Sequence, residues 1–329
     1  MARNPRTEPT LDDVARRAGV SPATASRALT GRGPASPRTR AKVAEAAREL
    51  AYTPHAAARA LATRSGTRIA VAVGGPTAHV LNDPYAARVL AATATTAAAR
   101  DVGVSLHWLP LHDPGALGRL AEDRGIGGIV VVNPTRPALA TVPRSARGRV
   151  VAIGVGSRDV PSFDVDNGTA TTRLVEHLLA AGRRRVAMIT GPPWLPCTER
   201  ALRAYRRAVD AAGHPPRLVE GDFTATRGET ATAELLTRWP DTDAVFALGD
   251  LSALGALTAL RRAGVDVPGD VAVAGFDDIP YAALSRPGLT TTTNPVETIA
   301  TAAATATLDR HTPAPLTFYP STLVLRDTA

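Results

Sequence analysis

The first fifty residues alternate apolar and polar positions with a helical period. Leu11, Val14, Ala15 and Ala18 fall at i, i+3, i+4 and i+7, a single apolar stripe that predicts a short helix. Gly19 follows at the point where a left-handed residue ends a helix at least cost. Ser21 and Pro22 are the residue types of an N-cap and a first helical position. The stretch AGVSPATASRAL, residues 18–29, therefore reads as a tight turn into a second helix that buries Ala25 and Leu29. Thr30-Gly31-Arg32-Gly33 breaks that helix, and Ser36-Pro37 starts a third with Val43, Ala47 and Leu50 facing inward. Two helices joined by a glycine-containing turn form a helix-turn-helix, and the third completes a small core. After Tyr52-Thr53-Pro54 comes HAAARALATRSG, too short to stand as an isolated helix in water and read as a linker that folds only against a partner.

From Arg68 the period changes. Short β-branched runs, IAVAV (69–73), VSLHWL (104–109), GGIVVV (127–132), VVAIGV (150–155), RVAMIT (185–190), AVFAL (244–248) and VAVAGF (271–276), predict strands. Between and after them, helical patterns lie near 84–100, 114–124, 168–181, 198–212, 227–238, 250–263 and 295–309. Continuous apolar strands alternating with helices mean parallel sheets covered on both faces. The fold class expected is an α/β core of two doubly wound parallel-sheet subdomains behind an N-terminal all-α helix-turn-helix domain. Such sheets bind ligands beyond the carboxyl ends of their strands, so the cleft between two of them is the expected pocket.

Charge changes the picture for one segment. Residues 1–68 hold 13 Lys and Arg against 5 Asp and Glu, whereas residues 69–329 hold 25 of each. A basic module on a neutral body is the electrostatic footprint of a nucleic-acid binder. Lys42 is the only lysine, so the positive charge is nearly all arginine, which suits bidentate contacts to phosphate and guanine. At 329 residues the chain has room for two or three modules. A single cysteine, Cys197, excludes an internal disulfide framework and any Cys-based metal cluster. A polar N-terminus and the lack of a long apolar run point to a cytoplasmic protein with no membrane partner.

The segments TLDDVARRAGVSPATASRALTG, SPRTRAKV, LAYTP and ARAL together resemble the DNA-binding headpiece of the lactose-repressor (LacI/GalR) family of transcriptional regulators. In the core, DPYA, DVDNGTATTRLVEHLLAAGRRRVAMITGP, VPGDVAVAGFDDIP, LTTTTNP and LVLRDT match that family's blocks in order. The resemblance covers residues 10–329. It implies a headpiece at 1–54, a hinge helix and linker at 55–67, and an effector-binding and dimerisation core at 68–329 of the type I periplasmic-binding-protein kind. The first subdomain would take residues of about 68–161 plus 291–318, and the second 162–290 plus 319–329, joined by three crossovers.

By the same resemblance, Pro22, Ala23 and Arg27 read bases in the major groove, Arg27 through guanine and the other two by apolar contact. Pro22 reads equally well as a plain first-turn residue. Thr10, Ser21, Thr24, Ser26, Thr30, His55 and Arg59 would lie against the DNA backbone, with Thr30 and His55 standing where the family usually has Asn. Leu61, which alone would read as an ordinary core leucine, matches an apolar wedge that enters the minor groove. The partners implied are a near-palindromic double-stranded operator in the bacterial nucleoid, a second copy of the chain in a homodimer, and a small effector with a sugar as the leading class. No cofactor and no metal are implied.

The resemblance places Asp277, Phe223, Asn294, Asp166 and Asp250 at the effector cleft. Trp194 offers a ring wall or a core residue equally well. Two departures bear on that cleft. The family's arginine position is Ala201 here, with Arg200 one residue earlier, and one residue rotates a helical side chain by about 100°. Gly249-Asp250 also stands where many members have Asn-Asp. An enzyme is the main rival, but no Gly-rich pair completes G-x-G-x-x-G before a helix, and neither a G-x-S-x-G elbow nor a phosphate-binding Walker loop occurs. His107 and His112 straddle a proline without a carboxylate pattern, a poor metal pair. A secreted sugar-binding protein, the second rival, would share the core but carry a signal peptide and no headpiece.

Overall fold

A computed structural model describes residues 9–30, 34–52, 66–310 and 313–329. Contacts divide the chain into two compact units, between Thr67 and Arg68. The smaller unit holds α1 (Leu11–Ala18), α2 (Pro22–Thr30) and α3 (Pro37–Glu49). Val14, Ala15, Ala25, Val43, Ala46 and Ala47 form its core, and Leu11, Leu29, Leu50 and Tyr52 pack against it. Each helix start is fixed locally. Thr10 and Asp13 form a reciprocal capping box, Ser21 accepts from the Thr24 N–H, and Ser36 accepts from the Thr39 N–H. Gly19, at φ +66°, closes α1 in the left-handed conformation that a side chain would resist.

The larger unit is built on two parallel sheets. The first runs β11-β5-β4-β3-β1-β2, from β1 (Arg68–Gly75), β2 (Gly103–Pro110), β3 (Ile126–Val132), β4 (Val150–Ile153), β5 (Ser162–Val165) and β11 (Leu316–Tyr319). The second runs β7-β6-β8-β9, from β6 (Val186–Ile189), β7 (Arg217–Val219), β8 (Ala244–Ala247) and β9 (Ala272–Ala274). A short antiparallel pair, β10 (Thr291–Thr292) and β12 (Leu323–Val324), forms a separate ladder. The helices are α4 (Pro84–Ala98), α5 (Gly115–Glu122), α6 (Arg136–Ala140), α7 (Asn167–Ala180), α8 (Pro196–Ala211), α9 (Ala225–Arg238), α10 (Asp250–Arg262), α11 (Pro280–Leu284) and α12 (Val296–Leu308). Among the described residues, no helix is long and apolar enough to cross a membrane.

The seven expected strands and seven expected core helices all form, with ends shifted by a residue or two. The short elements β5, β7, β10, β11, β12, α6 and α11 carry too little apolar pattern to announce themselves. One of them corrects an expected boundary. β5 pairs with β4 on one side and β11 on the other, so the first sheet extends to Val165 rather than stopping at 161. The chain leaves that sheet after β5, approaches it again between β10 and α12, and leaves it finally after β11. These are the three crossovers.

Tyr205 shows how the second subdomain is tied together. Its ring is fully buried on α8, and its hydroxyl donates to the Val186 carbonyl at 2.8 Å while accepting the Arg217 N–H at 2.9 Å. One side chain thus joins α8 to the starts of β6 and β7. Tyr205→Phe would leave the buried Val186 carbonyl and the part-buried Arg217 N–H without their hydroxyl partner, at a cost of about 1–3 kcal/mol. The expected result is a lower urea midpoint for the core, with the headpiece signal unchanged.

Candidate functional site

In the smaller unit, Pro22, Ala23 and Arg27 are all exposed on α2, directly after the Gly19 turn. The Ser21 and Thr24 hydroxyls lie 2.8 Å apart, and Arg27 Nη2 donates to Thr24 Oγ1 at 3.3 Å, so the polar residues of this face brace one another. Ser26 is half-buried beside them. The Thr10 hydroxyl donates to Asp13 at 2.7 Å and the Thr10 N–H donates to the same carboxylate at 2.9 Å. These bonds hold the Asp13 carboxyl below its usual range and give Thr10 a capping role. Thr30 ends α2; His55, Arg59 and Leu61 lie outside the described residues.

In the larger unit, a cavity of about 100 Å³ opens at the carboxyl ends of both sheets. The first sheet contributes Asn133 after β3, Gly154 after β4, and Asp164 and Val165 of β5. The second contributes Phe223 after β7, Leu248 and Gly249 after β8, and Phe276 and Asp277 after β9. Asn294, between β10 and α12, and Asp83, Pro84 and Tyr85 at the start of α4 also line it. Asp277, Phe223, Asn294 and Asp250 are thus brought together around one space. Asp166, Arg200 and Trp194 are not among its lining residues. Asp166 instead caps α7, accepting from the Thr169 N–H at 3.1 Å and the Thr169 hydroxyl at 2.7 Å.

Asp277 is held from several sides. Its backbone lies at φ +105°, a conformation unfavourable for a side-chain-bearing residue. Asn294 Nδ2 donates to its carboxylate at 2.9 Å. Arg88 of α4 donates to the Asp277 carbonyl at 3.2 Å and to the Asn294 carbonyl at 3.0 Å, and forks onto Glu297 at 2.7 and 2.8 Å. Next to it, Asp278 pairs with Arg326 at 2.7 Å. Burial, then the charge of Asp250, pushes the Asp277 carboxyl up to about 8. Asp250 is itself 1% exposed, accepting from the Thr291 hydroxyl at 2.6 Å and the Ile279 N–H at 2.8 Å, and burial pushes it up to about 7.

Two glycines shape the wall. A Cβ on Gly191 would stand 2.3 Å from the Phe223 ring, and a Cβ on Gly275 would stand 2.2 Å from Asp250. Both carboxylate and ring therefore need a bare backbone beside them. At Gly249, where many members of the resembling family carry Asn, a Cβ would come within 3.3 Å of Phe223, so the glycine gives that ring its seat.

Arg200 has turned to another task. It pairs with the buried Asp164, donates from Nε to Asn167 Oδ1 at 3.0 Å, and stacks over Phe318 at 5.3 Å. Asp164 and Asn167 line the cavity, so Arg200 acts on it through them. Asp164, Asn167, Asp83, Tyr85 and Asn133 are residues that sequence reasoning passed over. DPYA and DVDN carried the signal for the first four, read there as family blocks and not as cavity walls. Cys197 also lines the cavity, but burial pushes its thiol up to about 12, which leaves it protonated and unreactive.

Comparison with known proteins matches each unit. The profile for bacterial regulatory proteins of the lacI family matches residues 10–55, and that for a periplasmic binding protein-like domain matches residues 175–329. The transcriptional regulator CelR of Thermobifida fusca is 35% identical over 327 residues, 93% of each chain. MalR of Streptomyces coelicolor is 33% identical over 233 residues, covering 65% of this chain and 67% of that one. The solved complex of CelR with cellobiose has a TM-score of 0.73 at 30% identity, over 98% of this chain and 100% of that one. The lac repressor dimer bound to operator and the anti-inducer ONPF has a TM-score of 0.84 at 25% identity, over 98% and 99%. A helix-turn-helix unit, a periplasmic-binding-protein-like core and a relative matched along nearly its whole length lead to one conclusion: this chain belongs to the LacI family of transcriptional regulators, which are DNA-binding proteins and not enzymes.

Proposed function

We propose that the protein is a repressor that binds a near-palindromic operator as a homodimer on the nucleoid, in the cytoplasm, and changes its hold on DNA when a sugar occupies the core cavity. The observation that carries this reading is that a regulator solved with cellobiose matches the headpiece and the core together. The lac repressor structure, a dimer on its operator, supports the oligomeric part. Each half-site is short, so two headpieces related by a two-fold axis are needed for useful specificity.

On the DNA side, Arg27 pairs with guanine, while Pro22 and Ala23 offer apolar contact to base edges. Ser21, Thr24, Ser26 and Thr30 meet phosphates, which position the protein without specifying sequence. Thr10 contributes through the cap it builds. His55 and Arg59 approach the backbone and Leu61 wedges the minor groove. On the ligand side, Asp277 and Asn294 take hydroxyl groups while Phe223 stacks on a sugar face. DNA and sugar are linked by favouring different arrangements of the core, a coupling of about 1–3 kcal/mol in typical cases.

Selection from random duplex DNA tests the reading as a whole. Enrichment of a palindrome whose recovery shifts on adding cellobiose or a related sugar is expected; no enriched sequence under any sugar overturns it. Arg27→Ala should lose discrimination at one base per half-site, by about 1–3 kcal/mol. Uniform weakening over all sequences would remove it from base reading. Asp277→Ala should keep operator binding and lose the response to sugar, measured by fluorescence anisotropy of a labelled operator.

The two raised carboxyls also set a pH dependence. Asp250 and Asp277 stay protonated in the folded state up to about 7 and about 8, whereas in the unfolded chain they ionise at the ordinary 3.8. The folded state therefore holds extra protons from 3.8 up to these values, and the stability they contribute falls progressively over that range and is gone once pH has risen through about 7 and about 8. The ligand-free protein should melt at lower temperature near pH 8 than near about pH 5, and Asp277→Asn should reduce that difference.

A further inference from the structure

The cavity is lined by four aspartates, Asp83, Asp164, Asp250 and Asp277, and among the described residues by no arginine, lysine or histidine. Three of the four are provided for. Asp164 has Arg200 and the Val165 N–H, Asp250 has Thr291 and the Ile279 N–H, and Asp83 caps α4 through the Tyr85 N–H at 2.8 Å. Among the described residues, the Asp277 carboxyl receives one hydrogen bond, from Asn294 Nδ2. The other atom of that amide, Asn294 Oδ1, has no partner although the residue is only 7% exposed. Asn294 Oδ1 thus wants a donor, and the adjoining Asp277 carboxyl, which burial keeps protonated in the empty cavity, becomes a full acceptor once a cation joins it.

A hydroxyl brings one proton to such a place. An ammonium brings three donors and no acceptor, and it also brings the charge that lets an enclosed carboxylate ionise. The protein supplies no such charge freely. Arg88, on α4, reaches only the carbonyls of Asp277 and Asn294 and is forked onto Glu297 of α12; Arg200 of α8 is held by Asp164; Arg326 is held by Asp278. The carboxylates that face Asp277 from α10 and from the start of α4, Asp250 and Asp83, add to the deficit.

We infer that the cavity selects a sugar carrying a protonated amine, with the ammonium between Asp277 and Asn294 Oδ1 and the ring against Phe223. The inference rests on reading the cavity as a saccharide site, and it narrows the class to amino sugars.

Isothermal titration of the full-length protein near neutral pH tests it with matched probes: glucosamine against glucose, and the β-linked disaccharide of glucosamine against cellobiose. In at least one pair the amine should bind about tenfold tighter or more, as expected of a charge-assisted contact. Acetylating the amine, which keeps the size and removes the charge, should abolish the gain. Asp277→Asn should bring the ratio close to one, and a single cooperative thermal transition certifies the fold of the variant. Neutral sugars binding as well as their amines, or a preference that survives Asp277→Asn, would overturn the inference and leave the saccharide reading standing. No binding by either member of any pair would overturn the saccharide reading, and the inference with it.

Discussion

Parallel strands place all their carboxyl ends along one edge of a sheet, and every return must be made by a crossover on a face. In the core, two such sheets share the chain through three crossovers, and their carboxyl edges meet at one cavity. Much else is a consequence of that arrangement. Strands buried on both faces must be apolar where they are covered, as β3, β4, β6 and β8 are throughout and β1 is after Arg68. Much of the cavity wall then falls to residues just past the strand ends, Asn133, Gly154, Phe223, Gly249 and Asp277 among them. The close packing needed to cover the second sheet is met by glycine: a Cβ on Gly228 or Gly255 would stand within 2.2 Å of the backbone of the neighbouring helix.

That division of labour explains what could be read from the chain. The long apolar strands and the amphipathic helices were legible because their burial writes itself into periodicity. Ser162–Val165 was not, because a four-residue strand containing a buried aspartate has no run to display, and its place between β4 and β11 is decided by pairing with a strand 150 residues later. The three headpiece helices were legible, since Gly19, Ser21 and Ser36 each act on residues within a few positions, whereas the Thr10 cap on α1 was passed over. The cavity was legible only in part. Asp277, Phe223, Asn294 and Asp250 came from motif resemblance, while Asp166 belongs to a helix cap and Arg200 to an ion pair with Asp164, 36 residues away. Helical rotation pointed to a displaced Arg200, which here pairs with Asp164. Where it would go depended on a tertiary partner that no local pattern names.

The electrostatics of the two units also follow different rules. In the headpiece, Arg16 and Arg17 are exposed and Asp13 is half-buried, and the pairs Arg16–Asp13 and Arg17–Glu49 are screened by water and salt. In the core, Asp164, Asp250 and Asp277 sit where water is scarce, so each must find a donor, a cation or a proton. Arg200, Thr291 and the Ile279 N–H meet the first two needs.

Arg88 gives this arrangement a mechanical side. One guanidinium grips two main-chain carbonyls in the segments that carry Asp277 and Asn294, and its other edge is locked to Glu297. It stands on α4, whose first turn also supplies Asp83 and Tyr85 to the opposite wall. The helix is therefore geared to the acceptor pair at both ends of its first two turns. A guest that tilts the Asp277 peptide must carry α4 along or break the Arg88 bond to the Asp277 carbonyl, so the guanidinium works as a clutch between the binding loop and the body of the first subdomain.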